Sequence, residues 1–319
     1  MRTGSGTPVA VVGLGRIGRL HAHALATRVA GARLAGVADA VESIARELGT
    51  RYGVPWSTSA DELLAAPVVA GVVIATPSAS QPELVRGAAA AGKHVFCEKP
   101  LGLDVDSCAD AVAAAKGCHV RLQIGFQRRF DPDWQAVKAA LDAGSIGSLD
   151  VFRCSHRNPA PPPDRPGLGD LFTDMAVHDL DAARWLAGEV GEVHAKEAEG
   201  GEAAVVMLGF ESGSVGVIDL HRSAGYGFEC SAELVGSGGT IRCGALYRRG
   251  GVELLRDGAI TAALARNHGE RHAPAYVGEL EHFAEVAAGL AEPAVSGDDA
   301  LAALRLATAA RGAAPAHAP

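Results

Sequence analysis

Asp174 and His178 stand four positions apart in a stretch whose apolar residues have helical spacing, Phe172–Leu186. Side chains four residues apart on a helix project from one face, one turn apart. A carboxylate beside an imidazole fixes the tautomer of the ring, and it prepares the histidine to accept the proton of an alcohol. Because solvated acid–histidine pairs with this spacing are common, the pair indicates catalysis only in combination with other motifs.

A glycine-rich segment, Gly13-Leu14-Gly15-Arg16-Ile17-Gly18, connects a predicted strand to a predicted helix. In dinucleotide-binding proteins the first glycine permits the tight turn, the second lets the backbone approach the pyrophosphate, and the third lets the helix pack on the strand. The helix N-terminus then receives the phosphate charge. We therefore expect Gly13, Gly15, Arg16, Ile17 and Gly18 to bind a dinucleotide.

Asp39 ends the next predicted strand, 21 residues after Gly18. A carboxylate at this position hydrogen-bonds the ribose 2′-OH of NAD and repels the 2′-phosphate of NADP. The residues that follow, Ala40-Val41-Glu42, include no arginine that would accommodate the phosphate. The sequence therefore predicts NAD as the cofactor.

The tetrad Cys97-Glu98-Lys99-Pro100 closes another predicted strand, His94–Cys97. In a doubly wound sheet the carboxyl ends of the strands border the crevice in which ligands bind. An ammonium there can stabilise the negative charge that develops on a substrate oxygen. On the tetrad alone, Lys99 is equally well interpreted as a surface lysine before a proline.

Short apolar runs alternate with helical patterns through residue 125. The predicted strands are Val9–Gly13, Arg33–Asp39, Val69–Ala75, His94–Cys97 and Val120–Gly125, and the predicted helices are Arg16–Val29, Pro82–Ala91 and Asp104–Lys116. Near-continuous apolar strands that alternate with helices are typical of a parallel sheet covered on both faces. We therefore predict an α/β Rossmann domain with a doubly wound parallel sheet over residues 1–125.

Residues 126–319 have a different pattern, in which strands follow one another through short glycine-rich turns from Glu192 to Leu255. Consecutive strands joined by short turns form antiparallel sheets. This predicts an α+β C-terminal domain with a large, mostly antiparallel open sheet. The other predicted elements are the helices Pro132–Ala143, Phe172–Leu186, Tyr276–Leu290 and Asp298–Ala310, a strand near Leu149–His156 and a proline-rich loop, Asn158–Gly169. The last helix, about 298–312, is a candidate to pack back on the Rossmann domain.

Composition and charge exclude several classes of function. A net charge of −8 without a basic patch argues against a nucleic-acid surface. No stretch reaches the roughly 18–20 apolar residues of a membrane span, and the N-terminus has no apolar signal segment. The six cysteines include no Cys-x-x-Cys pair, and the histidines form no ligand cluster, so we expect reduced thiols, a cytoplasmic location and no metal.

In combination with Ala75-Thr76-Pro77, these motifs make the sequence resemble the Gfo/Idh/MocA oxidoreductase family over nearly the whole chain. The family's Glu-Lys-Pro corresponds to Glu98-Lys99-Pro100, and its Asp-x-x-x-His corresponds to Asp174–His178. Within the family, the chain is most similar to inositol 2-dehydrogenases and related sugar dehydrogenases. It departs at Gln81, where members often carry His, and at Phe228, where they often carry Tyr.

The resemblance implies roles for individual residues. The catalytic set is Lys99, Asp174 and His178. Further cofactor contacts are Thr76, Pro77, Glu98, Lys99 and Gln127. The substrate contacts are Lys99, Arg129, Asn158, Asp174, His178 and Tyr226. Asp179 is expected to cap the helix or to face solvent.

The leading hypothesis is oxidation of a secondary hydroxyl of a cyclitol or sugar, with hydride transfer to NAD. An NAD-dependent glycoside hydrolase and a non-catalytic NAD-binding sensor remain alternatives. We also expect a homodimer or homotetramer that pairs through the open face of the antiparallel sheet. The apolar residues expected on that face are Val205, Val206, Val215 and Val217.

Overall fold

The computed structural model describes residues 6–160, 170–225, 227–244, 254–256, 259–261 and 267–314. Two compact units make up the chain: Met1–Phe130 with Pro274–Leu304, and Asp131–Ala273 with Arg305–Pro319. We call them the first and the second unit. Among the described helices, none combines the length and the apolar character that crossing a bilayer requires.

The strands are β1 (Thr7–Val12), β2 (Ala32–Ala38), β3 (Trp56–Ser57), β4 (Gly71–Ile74), β5 (His94–Cys97), β6 (Leu122–Ile124), β7 (Leu149–Arg157), β8 (Val190–Glu197), β9 (Ala203–Phe210), β10 (Val215–His221), β11 (Glu229–Gly236), β12 (Gly239–Cys243), β13 (Leu254–Arg256) and β14 (Ala259–Thr261). The helices are α1 (Arg16–Thr27), α2 (Glu42–Tyr52), α3 (Ala60–Ala65), α4 (Gln81–Ala90), α5 (Val105–Gly117), α6 (Pro132–Asp142), α7 (Val177–Ala187), α8 (His268–Arg271), α9 (Ala273–Ala287) and α10 (Gly297–Ala313). Shorter helical turns occupy Ser78–Ser80, Gln127–Phe130 and Phe172–Ala176.

The first unit is built on a parallel sheet with the strand order β3-β2-β1-β4-β5-β6. Strand β4 is fully buried and β5 is buried from Val95 to Cys97, which explains why these residues are apolar. The order reverses direction at β1, so a crevice opens between the carboxyl ends of β1 and β4, where doubly wound folds bind ligands. The predicted Rossmann sheet is confirmed.

No element was expected over residues 42–65, where α2, β3 and α3 lie. Helix α2 buries only Ala45, Leu48 and Gly49, so its apolar stripe is narrow. Strand β3 has only two residues and pairs with the end of β2. Neither element is long or periodic enough to give a clear sequence signal.

Helix α9 completes the core of the first unit. Its Leu280 and Phe283 are fully buried among residues of the parallel sheet and α1. The rings of Phe283 and Phe96 meet edge to face with centroids 5.8 Å apart. Gly71 on β4 leaves room for this ring, because a Cβ there would lie 3.0 Å from Phe283 Cζ. The same helix also buries two polar residues, Tyr276 and Glu279.

The second unit contains a sheet with the order β12-β11-β7-β10-β9-β8. Strands β7 and β10 pair in parallel and the remaining neighbours pair antiparallel, which confirms the predicted, mostly antiparallel sheet. The predicted strand region ran to Leu255, but this sheet ends at Cys243. Leu254 and Leu255 belong to a separate two-stranded sheet, β13–β14.

The open face of this sheet differs from the predicted one at Val206. Side chains alternate between the two faces of a strand, so Val205 and its neighbour Val206 cannot share a face. Val206 is fully buried, whereas Val205 and Met207 are exposed. Met207 therefore takes the place expected for Val206, and it lies directly opposite Val217 on β10.

A buried ion cluster ties the start of the second unit to α8. Asp131 accepts hydrogen bonds from the Arg271 guanidinium at 2.7 Å and from His272 Nδ1 at 3.0 Å. Asp131 and Arg271 are 1% and 3% exposed. Burial acts to raise the pKa of Asp131, but the His272 hydrogen bond and the Arg271 charge outweigh it, so the pKa is lowered.

Replacing Asp131 by Ala should destabilise the protein by about 3–5 kcal/mol, because Arg271 would be left buried without this partner. Asp133→Ala is the matched control, since the half-exposed Asp133 also pairs with Arg271 but should cost less than about 1 kcal/mol. Because the pKa of Asp131 is lowered in the folded protein, its contribution is present above the unfolded value of about 3.9 and lost as the pH falls. Urea unfolding at neutral and acidic pH measures both effects, and equal losses for the two variants would contradict this account.

Candidate active site

The β1–α1 turn has room for glycine alone at two positions. Gly13 has a φ of +86°, and a Cβ there would lie 2.7 Å from the Thr76 nitrogen. A Cβ at Gly18 would lie 1.7 Å from the Gly13 carbonyl oxygen, so α1 can approach the turn only through a glycine. Gly15 faces open space and leaves its backbone accessible. These are the three roles that the sequence motif predicts.

Asp39 follows β2 and is fixed by two backbone groups. Its Oδ2 accepts a hydrogen bond from Leu14 N–H at 2.7 Å, and its Oδ1 accepts one from Val41 N–H at 2.9 Å. Because Leu14 belongs to the glycine-rich turn, the carboxylate is held beside that turn. Asp39 is half-buried, so part of it remains available to a ligand.

A cleft of about 660 Å³ opens at this edge of the parallel sheet, within the size range of small-molecule and cofactor sites. Seven predicted cofactor residues line it: Gly13, Gly15, Arg16, Ile17, Asp39, Thr76 and Pro77. Gly18 does not line the cleft but packs against the Gly13 carbonyl. Thr58, Ala60 and Ser80 also line the cleft and were not predicted, because they follow β3 and β4 in segments without a recognisable motif.

The residues of this cleft fit a dinucleotide. The N-cap residue of α1, Gly15, makes no side-chain cap, and the first turn carries no acidic residue. The first N–H groups of the helix therefore face a site suited to an anion such as a pyrophosphate. Asp39 supplies the acceptor for a ribose hydroxyl, as an NAD site requires.

Glu98 and Lys99 follow β5 and are both half-buried. The Glu98 carboxylate is turned toward α1, where its Oε1 lies 2.6 Å from His21 Nε2. The Lys99 backbone N–H donates to Glu98 Oε2 at 3.3 Å, and the Lys99–Pro100 peptide bond is cis. Gln127 is buried in the helical turn after β6. The cofactor contacts expected of Glu98, Lys99 and Gln127 remain predictions.

Asp174 and His178 occupy a distinctive position in the second unit. From Leu171 to Ala183 every residue is buried except these two, which are half-buried. The segment was expected to be an ordinary α-helix, but Phe172–Ala176 forms a π-helical turn before α7. Such turns are frequent at functional sites. The only surface that this segment presents is therefore the one that carries the acid and the imidazole.

The expectation that Asp179 caps a helix or faces solvent is wrong. Asp179 is fully buried, and its carboxylate oxygens lie 2.9 Å from His156 Nδ1 and 3.1 Å from Cys154 Sγ. The His156 ring in turn meets His178 edge to face, with centroids 6.3 Å apart. A carboxylate–histidine pair from β7 and α7 thus packs behind the predicted catalytic histidine, a contact between residues distant in sequence.

Two family models cover most of the chain. The model of the oxidoreductase family with an NAD-binding Rossmann fold matches residues 7–126, and the model of the GFO/IDH/MocA C-terminal domain matches residues 134–242. The chain belongs to the Gfo/Idh/MocA family. The family resemblance inferred from the motifs is therefore confirmed, together with the NAD-binding fold.

Several inositol dehydrogenases are similar to this chain over most of its length. The chain is 37% identical to myo-inositol 2-dehydrogenase of Thermotoga maritima, with 95% of each chain covered. It is 36% identical to inositol 2-dehydrogenase of Rhizobium meliloti, with 94% of each covered. Among solved structures, scyllo-inositol dehydrogenase of Lactobacillus casei with bound NAD(H) and scyllo-inositol matches with a TM-score of 0.92, 26% identity and 97% of each chain covered.

Three further residues carried over from the Gfo/Idh/MocA family have different outcomes. The Arg129 guanidinium is 9% exposed and pairs with Asp299 at 2.9 Å, and its expected substrate contact remains a prediction. Asn158 is half-buried at the end of β7, where its backbone bonds His221 and Ala224, so its side-chain role remains a prediction. Tyr226 lies outside the described residues.

The geometry of Asp39 predicts the effect of removing its carboxylate. Asp39→Ala should weaken NAD binding about ten-fold or more, because a charge-assisted hydrogen bond contributes roughly 1.5–3 kcal/mol. NADP should bind better to this variant than to the wild type, since the repulsion of the 2′-phosphate disappears. Glu42→Ala is the control, because this exposed acid on α2 is not part of the cleft lining. Fluorescence titration measures both affinities, and equal NAD and NADP binding by the wild type would refute the assignment.

Proposed function

We propose that the protein oxidises a secondary hydroxyl of an inositol-like cyclitol to a ketone with NAD as the hydride acceptor. The observation that carries the proposal is the isolation of Asp174 and His178 as the two accessible positions of an otherwise buried helical segment. The similarity to inositol 2-dehydrogenases over 94–95% of the chain supports the cyclitol as substrate. The NAD-binding fold of the first unit supports the cofactor.

In this proposal His178 accepts the proton of the substrate hydroxyl. Asp174 orients the imidazole, and the buried His156–Asp179 pair holds the ring from behind. Lys99 stabilises the negative charge that develops on the substrate oxygen, as a positioned ammonium can. NAD, when bound, supplies the hydride acceptor that the reaction needs.

The two alternatives have less support. An NAD-dependent glycoside hydrolase would regenerate NAD in each cycle, whereas the relatives described above are dehydrogenases. A non-catalytic sensor needs no proton acceptor, yet Asp174 and His178 remain accessible where their neighbours are buried. Net accumulation of NADH with a free cyclitol separates the proposal from both alternatives.

The purified protein should form NADH from NAD and myo-inositol or scyllo-inositol. His178→Ala should lower kcat by about 10²–10⁴, the usual cost of removing a general base, while NAD binding persists. Asp174→Asn should also be strongly impaired, since an amide cannot stabilise the protonated ring as a carboxylate does. NADH absorbance under saturating NAD measures the rates.

Two further variants make this test specific. Lys99→Arg should not restore the activity lost in Lys99→Ala, because a bulky planar guanidinium does not replace a compact ammonium. His119→Asn, a change at an exposed histidine after α5, should leave the rates unchanged. If His178→Ala keeps more than about a tenth of the wild-type kcat, another residue is the base.

We also propose a cytoplasmic homodimer or homotetramer. The open face of the second unit's sheet carries exposed Val205, Met207 and Val215 beside half-buried Val217. An exposed apolar patch rimmed by polar residues is typical of a protein–protein interface. The cytoplasmic location is supported by the six cysteines, which are thiols rather than disulfides.

Met207→Glu should therefore shift the protein toward a monomer of 32.5 kDa, because a charge in the middle of an apolar interface is costly to bury. Leu290→Glu is the matched control, since Leu290 is an exposed apolar residue of the first unit. Sedimentation at micromolar concentration measures the change. A wild-type protein that sediments as a monomer would contradict the proposed assembly.

A further inference from the structure

Three ionisable side chains from distant parts of the first unit meet in its interior. They are His21 on α1, Glu98 after β5 and Glu279 on α9. One ligand-type atom of each lies within 4.8 Å of those of the other two. His21 and Glu279 are fully buried, and the Glu98 side chain is 13% exposed. We call these residues the buried triad.

The surrounding elements are shaped to accept the triad. Gly125, directly after β6, leaves space for the carboxylate, because a Cβ there would lie 3.1 Å from Glu98 Oε2. The Gln123 side-chain amide on β6 donates to the Glu279 backbone carbonyl at 2.9 Å. This hydrogen bond fixes the position of Glu279 relative to β6. The His21 ring packs edge to face against Phe96 and Tyr276.

The distance between His21 and Glu98 favours a hydrogen bond over a shared metal ion. His21 Nε2 and Glu98 Oε1 are 2.6 Å apart, the length of a strong charge-assisted hydrogen bond. Two ligands of a tetrahedral zinc ion, each about 2.0–2.2 Å from the metal, would stand roughly 3.3 Å apart. The pair is therefore joined by a proton, which Nε2 donates and the Glu98 carboxylate accepts.

The buried polar atoms of the triad that have no hydrogen-bond partner indicate which carboxyl group carries the second proton. His21 Nδ1 is buried and has no hydrogen-bond partner among the described residues, so a second ring proton would lack an acceptor and His21 is the neutral Nε2–H tautomer. Both carboxylate oxygens of Glu279 are likewise buried without a partner in the described part of the chain. A buried carboxylate without partners beside a second carboxylate is strongly disfavoured, so Glu279 is the neutral acid.

The electrostatic surroundings agree with this assignment. Burial raises the pKa of Glu279 well above its ordinary value, and the negative charge of Glu98 adds to the effect. Tyr276 on the same helix has its pKa raised by burial and by the negative charge of Glu98, and Arg16 on α1 acts in the opposite direction. Among the described residues, His21 and Glu98 therefore face Glu279, and Tyr276 and Arg16 belong to the same electrostatic surroundings.

We propose that the buried triad is a positioning device that ties α1, the helix of the cofactor turn, to the Glu98-Lys99 segment. Glu98 is its one carboxylate, held by His21 Nε2–H on one oxygen and by the Lys99 backbone N–H on the other. Glu279 closes the space behind it as a neutral acid, which keeps the triad at a single negative charge. His21 and Glu279 act on Lys99 through Glu98 and touch neither substrate nor cofactor.

The kinetic consequence rests on the proposed dehydrogenase function. His21→Leu should lower kcat about ten-fold or more, because the loss of a hydrogen bond to a charged group frees the Glu98-Lys99 segment. His21→Gln, whose amide can donate from the former Nε2 position, should recover most of that loss, whereas a purely structural role would not depend on a donor. His23→Gln, at an exposed histidine of the same helix, should have no effect. Equal kcat for His21→Leu and His21→Gln would overturn the proposal.

The two glutamates should respond differently to the same substitution. Glu98→Gln removes the charge that His21 and the Lys99 N–H bind, and should lower kcat about ten-fold more than Glu279→Gln, in which one neutral group replaces another. The reverse order would place the proton on Glu98 and overturn the assignment.

A measurement of stability tests whether Glu279 is a neutral acid in the folded protein. It requires no enzymatic activity, so its result does not depend on the proposed function. Because the pKa of Glu279 is raised in the folded protein, wild-type stability should decline as the pH rises above the unfolded value of about 4.3. The Tm of Glu279→Gln relative to the wild type should therefore increase from about pH 5 to about pH 8, while that of His23→Gln stays constant. A constant difference for Glu279→Gln would overturn the proposal, and so would stoichiometric metal in the wild-type protein that is lost in Glu279→Gln.

Discussion

The contact between Gly13 and Gly18 is the constraint on which the cofactor half of the molecule depends. A side chain at Gly18 would occupy the position of the Gly13 carbonyl, so only glycine allows α1 to begin directly against the end of β1. That approach sets where the N–H groups of α1 point. The same approach determines how far His21, one turn farther along α1, extends into the interior. His21 then contacts the Glu98 carboxylate, so the glycine-rich turn and Glu98 are connected through α1.

The second unit positions its predicted catalytic side chains by burial rather than by a tight turn. The helical segment from Leu171 to Ala183 is covered on all sides except at Asp174 and His178. A polar group removed from water is costly unless it is hydrogen-bonded, so each polar residue of this segment needs either a partner or an opening. Asp179 contacts His156 and Cys154, whereas Asp174 and His178 lie where the segment is accessible.

Local signals in the sequence sufficed for the glycine-rich turn and for Asp39. The glycine spacing and Asp39 act within one β–α–β unit, so their geometry follows from the order of residues along the chain. The alternation of side chains between the two faces of β9 could also be inferred from the sequence, and it places Val206 on the face opposite Val205. The buried triad gave no such signal, because His21 and Glu98 are 77 positions apart and Glu279 belongs to a helix whose packing only the tertiary structure specifies. The partners of Asp179 were missed for the same reason.

The two units use one arrangement to fix the backbone of a predicted catalytic residue. Lys99 follows Glu98 in the sequence, and Glu98 is held by His21 of another element; His178 precedes Asp179, and Asp179 is held by His156 of another element. In each case the carboxylate is anchored by a buried imidazole, so the backbone of the adjacent residue is fixed while its own side chain is not restrained by that bond. The bonded nitrogens differ, Nε2 in His21 and Nδ1 in His156, because the carboxylates approach opposite sides of the ring. A buried acid–histidine pair next to a half-buried residue therefore fixes the backbone of that residue through the neighbouring carboxylate and not through its own side chain.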